Sequence, residues 1–147
     1  MKKLILLFLA IVLTACSALG QSDVERNRQM WQDAGISHYR FNLFIGCFCM
    51  YTQDMPLIIE VKNGEAISME YQSGNDIDEG SREYFNTFAT VDRLFSELEA
   101  DLGGEADEVT VTYDPTYGFP TEVNIDRIKE AADDELYLTV SGFEVLP

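Results

Sequence analysis

The chain has 147 residues, of which 46% are hydrophobic and 12% aromatic, enough to bury one core and too apolar for a disordered segment. Its 26 acidic residues face only 10 basic ones, a formal charge of −16. Such a field repels phosphate backbones, so nucleic acid is not an expected partner, and no basic patch supports peripheral attachment to anionic lipid.

Met1, Lys2 and Lys3 open the chain, an apolar run continues from Leu4 to Val12, and Leu13, Thr14, Ala15 and Cys16 close it. A charged start, a short apolar stretch and small residues before a cysteine read as a bacterial lipoprotein signal peptide over 1–15. The run is too short for a spanning helix, which needs about 20 apolar residues. Lipid attachment is expected at Cys16, so the membrane is a partner through that lipid. Residues 16–22 form a polar tether, and a single α+β domain is expected over 23–147. Ser17 behind the cysteine suits an outer-membrane address facing the periplasm. Loss of the leader takes Lys2 and Lys3 with it and leaves 8 basic against 26 acidic residues, or −18.

Ser22 and Glu25 have capping-box spacing ahead of a helix carrying Val24, Met30, Trp31 and Ala34, with Gly35 as its stop. Tyr39, Phe41, Leu43 and Ile45 then alternate with Arg40 and Asn42, the pattern of a half-buried strand. Leu57, Ile59 and Val61 alternate up to Asn63-Gly64, and Ile67, Met69 and Tyr71 alternate after it, which is a hairpin. Ser73 to Gly80 reads as an exposed loop. Tyr84, Phe85 and Phe88 lead into Thr90, an N-cap for a helix bearing Val91, Leu94, Phe95, Leu98 and Leu102, stopped by Gly103-Gly104. Val109, Val111 and Tyr113 form a strand, Asp114-Pro115 and Gly118 turn the chain, and Val123 and Ile125 form another. In the last strand Leu136, Leu138 and Val140 share one parity while Phe143 and Val145 take the other, so a β-bulge is expected at Ser141-Gly142. Helix and three strands thus occur twice. The expected fold is a two-layer α+β domain, an antiparallel sheet with helices on one face, built as a tandem repeat.

Trp31-x3-Gly35-Ile36 with Tyr39-x-Phe41, Cys47-Phe48-Cys49, Val61-Lys62-Asn63-Gly64, Thr90-Val91-Asp92-x-Leu94-Phe95, Tyr113-Asp114-Pro115-x-Tyr117-Gly118-x-Pro120 and Asp133-Asp134-Glu135 occur in that order. Together they resemble an exported family, domain of unknown function 6174, over nearly all of the chain past the leader. The resemblance implies fold and compartment and brings no activity or site residue with it. A looser likeness to PepSY and β-lactamase-inhibitor domains implies inhibition or protein binding by analogy.

Several constellations bear on chemistry. Cys47 and Cys49, in an oxidising compartment, are candidates for a disulfide, either a structural clip or a redox-active pair. Metal ligation is disfavoured because a closed zinc site wants four ligands and His38 is the only histidine. His38 reads as a surface residue, and no nucleophile-elbow pattern surrounds a serine. Tyr113, Asp114, Tyr117 and Phe119 are the candidate binding surface, with Tyr117 and Phe119 as aromatic anchors; Tyr113 and Phe119 could equally plug the sheet edge, with Asp114 capping the turn. Asp76, Asp78 and Glu79, and Asp133, Asp134 and Glu135, read as solvated loops, since neither fits an EF-hand. No phosphate-binding glycine loop or dinucleotide fingerprint is present. The expectation is a non-catalytic, lipid-anchored envelope protein without cofactor or metal that binds a protein or envelope component. A periplasmic thiol-disulfide protein using Cys47 and Cys49, and a structural envelope protein, are the alternatives.

Overall fold

In the computed structural model, residues 23–129, 131 and 133–147 are described; the leader, Cys16, the tether and Ser22 lie outside them. Among the described residues, six strands and three α-helices build one α+β unit. Helix α1 (23–34) is followed by β1 (His38–Gly46), a 3-10 turn (Met50–Asp54), β2 (Leu57–Lys62) and β3 (Glu65–Tyr71). Helices α2 (Glu79–Asn86) and α3 (Val91–Ala100) come next, then a π turn (Asp101–Glu105) and β4 (Glu108–Tyr113), β5 (Pro120–Asp126) and β6 (Glu135–Val145). All neighbours pair antiparallel in the order β3-β2-β1-β6-β5-β4, so two three-strand meanders meet where the first strand lies beside the last.

Alternation along β1 fixes the core. Tyr39, Phe41, Leu43 and Ile45 are buried, as are Leu57, Ile59 and Val61 of β2 and Val123, Ile125, Leu136 and Leu138 of β5 and β6. Each such side chain contributes about 1.5 to 3 kcal/mol by leaving water. Above them Trp31 of α1 meets Tyr39 edge-on at 5.2 Å, Val91 N at the start of α3 donates to the Tyr39 hydroxyl at 3.1 Å, and Phe85 of α2 meets Tyr71 edge-on at 5.8 Å. Burial pushes the Tyr39 phenol up to about 12, against the smaller lowering effect of the Val91 amide.

Local signals placed most of the elements. Asn63 and Gly64 take the positive φ values (52° and 81°) that a tight hairpin turn requires. Thr90 caps α3, its hydroxyl accepting from Arg93 N at 3.1 Å. The bulge in β6 falls between Ser141 and Glu144, with Gly142 at φ 59°, where an added Cβ would come within 2.9 Å of Asn42 Nδ2.

On α1, Val24, Asn27 and Trp31 are buried, the Asn27 amide donating to Asp23 O at 2.8 Å, while Met30 and Ala34 are exposed. Two expectations need correction. Ile67 does not continue the inward alternation of β3. The register shifts between Glu60↔Ser68 and Val61↔Ala66, leaving Ile67 as the extra, outward residue. Finally, the segment before Thr90 contains α2, which Asp78 starts by accepting from Ser81 N at 3.0 Å; that bond and the Ser81 hydroxyl also hold the Asp78 carboxyl below its ordinary range.

Candidate functional site

Within the Tyr113–Pro120 segment, Phe119 is buried while Tyr113, Asp114 and Tyr117 stay partly exposed. Phe119 is 3% exposed and stacks on Phe143 at 4.5 Å, within reach of Trp31 at 6.3 Å. Tyr117 is partly buried against Phe143, and Tyr113 lies over Phe95. Asp114 organises the turn, its Oδ1 accepting from Thr116 N and Tyr117 N at 2.9 and 2.7 Å. Gly118 explains why the loop lies down: an added Cβ would sit 2.4 Å from Asn27 O, so the loop backbone rests directly on α1. The aromatic-anchor reading of Phe119 is therefore replaced by the plug. The reason is packing, since only glycine at 118 lets the backbone approach that closely.

At the opposite end of β1 the arrangement reverses. Cys47 and Cys49 are joined by a disulfide. Cys49 N donates to Cys47 O at 2.8 Å, and the Thr52 hydroxyl donates to Cys49 O at 2.9 Å, so the backbone is bent into a knuckle by hydrogen bonds as well as by the bridge. The chain-entropy relation gives so small a loop only about 1.6 kcal/mol of stabilisation. Phe48 at its tip is 87% exposed and Met50 97% exposed.

Beside the knuckle runs an open groove of about 520 Å³ lined by Gly46, Cys47, Phe48 and Tyr137, by Thr110 and Asn124, and by the carboxylates Glu108, Asp126, Asp133 and Glu135. Gly46 matters here, because a Cβ would come within 3.0 Å of the Phe44 ring that lies edge-on to Tyr137. Desolvation, with Asp134, Glu135, Asp107 and Glu108 crowded around it, raises the Asp126 carboxyl above its ordinary value. The groove draws on β1, β4, β5, β6 and the turn before β6, so no single sequence stretch announces it. Tyr137 was nonetheless findable as an aromatic ring of outward parity among polar neighbours.

The remaining candidates serve the scaffold. His38 bridges Glu60 Oε1 and Pro147 O, at 2.8 Å each. Asp134 Oδ2 accepts from Ile128 N at 2.6 Å and shapes the turn before β6. Asp101 is buried against the Arg127 guanidinium at 3.2 and 3.4 Å, tying the end of α3 to the end of β5. Among the described residues no helix is long and apolar enough to cross a membrane.

A model of the family of unknown function DUF6174 matches residues 23–145. The chain belongs to this family. In this DUF6174 chain the match runs from α1 through β6 and takes in both the knuckle and the groove. No curated protein and no solved structure matches it.

Proposed function

We propose that this DUF6174 chain is a lipid-anchored, non-catalytic protein of the bacterial cell envelope that binds a protein or envelope component, with the groove beside Phe48 as its contact surface. The observation that carries the contact surface is the exposed ring of Phe48 in the lining of a groove that also holds Tyr137 and, among the described residues, the carboxylates Glu108, Asp126, Asp133 and Glu135. An aromatic ring left in water beside a concave surface is the usual core of a protein contact, and an acidic rim favours a partner bearing Lys or Arg. The anchor and the outer-membrane address rest on the Leu13-Thr14-Ala15-Cys16 pattern and on Ser17.

In this reading the three helices cover one face of the sheet and leave the other open. Contacts of α1, α2 and α3 with the inward residues Tyr39 and Tyr71 support it, as does the polar outward parity of Arg40, Asn42, Thr110 and Asn124. A tandem origin belongs to the same reading, since each meander follows helical segments. The β1–β6 junction sets β1 and β4 antiparallel, so the halves would be related by more than a sideways shift.

Two measurements test the proposal. Feeding cells an alkyne fatty acid should label the parent and not Cys16→Ser; equal labelling contradicts the anchor. Pairing Phe48→Ser with Tyr137→Ser should lower recovery of crosslinked partner from the envelope about tenfold or more, the scale of one lost hot spot, at unchanged thermal stability. Undiminished recovery contradicts the surface.

A further inference from the structure

The knuckle holds a polar group that binding does not use. The Tyr51 hydroxyl lies 3.1 Å from Cys47 Sγ, and its ring is seated edge-on against Phe85 at 4.8 Å. Cys47 packs partly against the core and also lines the groove, so Tyr51 meets its sulfur at the edge of the packed region. Burial, followed by the hydrogen bond to the Tyr84 hydroxyl, holds the Tyr51 proton on well above the ordinary tyrosine range. That single proton can be given to Tyr84 or to Cys47. A disulfide sulfur is a weak acceptor and a thiolate a strong one, so the proton's preference changes with the state of the bridge.

We propose that Cys47–Cys49 is an exchangeable disulfide whose two sulfurs have different roles, Cys49 being the one attacked and Cys47 the leaving group received by Tyr51. The co-reactant is a thiol. Its thiolate forms a bond to Cys49 Sγ, the Cys47–Cys49 bond breaks, and the electron pair leaves on Cys47 Sγ as a thiolate that accepts from the Tyr51 hydroxyl. A second thiol then attacks the co-reactant's sulfur in the mixed disulfide and releases Cys49 as a thiolate. The bridge gains two electrons, the two co-reactant thiols are oxidised to a disulfide, and their two protons end on Cys47 and Cys49.

Three features support this. Both cysteines are partly exposed, and bridges within reach of solvent are the ones open to exchange. The hydrogen bonds from Cys49 N to Cys47 O and from the Thr52 hydroxyl to Cys49 O keep the turn bent when the sulfurs part, so the pair stays poised to re-form. Phe48, between the cysteines, offers an incoming thiol-bearing chain an apolar contact. The exchange is stoichiometric, goes beyond the binding reading and does not depend on it.

The test uses the folded, oxidised full chain and reduced glutathione at pH 7, with alkylation and mass spectrometry without further reductant. The expected result is a single glutathione adduct on Cys49, with Cys47 alkylated as the free thiol. Tyr51→Phe should slow adduct formation about tenfold and move the pH midpoint of Cys47 alkylation in the reduced protein upward, a change that a merely structural tyrosine would not cause. An adduct mainly on Cys47, adducts divided evenly, a Tyr51→Phe protein indistinguishable from the parent, or a bridge reduced only on unfolding would each overturn the proposal. The adduct position is read on the parent, so it stands even if the variant is unstable. Loss of partner recovery in the Phe48 and Tyr137 variants is a separate readout that does not bear on exchange.

Discussion

The two ends of β1 meet opposite surroundings. At the Tyr39 end Trp31, Phe119 and Phe143 interlock around the ring, and the Gly118 backbone rests on α1 with no room for a Cβ. At the Gly46 end the chain turns away from the sheet, and Phe48 and Met50 project from it. Both ends are aromatic, so aromatic content alone does not distinguish a packed corner from a contact surface. What distinguishes them is whether the neighbouring backbone can come close enough to cover the rings. Gly118 permits that at one end; the knuckle's backbone-bonded bend holds Phe48 clear of the sheet at the other.

Substitutions along that axis should separate the two regions. Phe41→Ala, fully buried between them, should cost about 3 to 5 kcal/mol in urea unfolding. A loss under 1 kcal/mol would mean that the core is not where the contacts place it. Gly118→Ala should cost at least about 2 kcal/mol, because left-handed backbone at φ 80° and a contact of 2.4 Å on Asn27 O act together. A neutral result would show that the loop lifts off α1 without penalty.

The alkaline limb sharpens the comparison further. The Tyr39 phenol is raised from 10.0 to about 12, so it favours folding fully below pH 10 and loses that effect as pH rises through 12. Between pH 10 and 12 the parent should lose about 2 kcal/mol more than Tyr39→Phe, and parallel curves would deny the shift. The smallest effect belongs to the knuckle: Phe48→Ser should change unfolding free energy by no more than about 0.5 kcal/mol, since the ring is already in water. A larger loss would place the ring in the scaffold.

What could be read from the sequence was what neighbours in the chain decide. The Asn63-Gly64 turn, the Thr90 cap and the Gly142 bulge each carry their backbone requirement in one or two residues, and each lies where its residues place it. Helix α2 was hidden because its Asp78 cap sits in a stretch polar enough to pass for loop, and only Phe85 of its residues is fully covered. Phe119 stayed open between anchor and plug because the neighbouring Gly118 packs on Asn27 O, more than ninety positions earlier, a contact no local pattern reports. The groove was out of reach for the same reason: Gly46, Thr110, Asn124 and Tyr137 become neighbours only through the β1–β6 junction and the β4-β5-β6 meander. The Cys47–Cys49 pair was visible at once, yet Tyr51 beside it was not, because a tyrosine four residues on carries no motif.

The most direct test of the proposed contact surface is site-specific photocrosslinking in living cells, with a photoreactive residue placed in turn at Phe48, Tyr137, Tyr117 and Ile67. The account predicts one discrete crosslinked species from positions 48 and 137 and none from 117 or 67. Crosslinking from 117 with silence at 48 and 137 would contradict it and return the contact surface to the loop on α1.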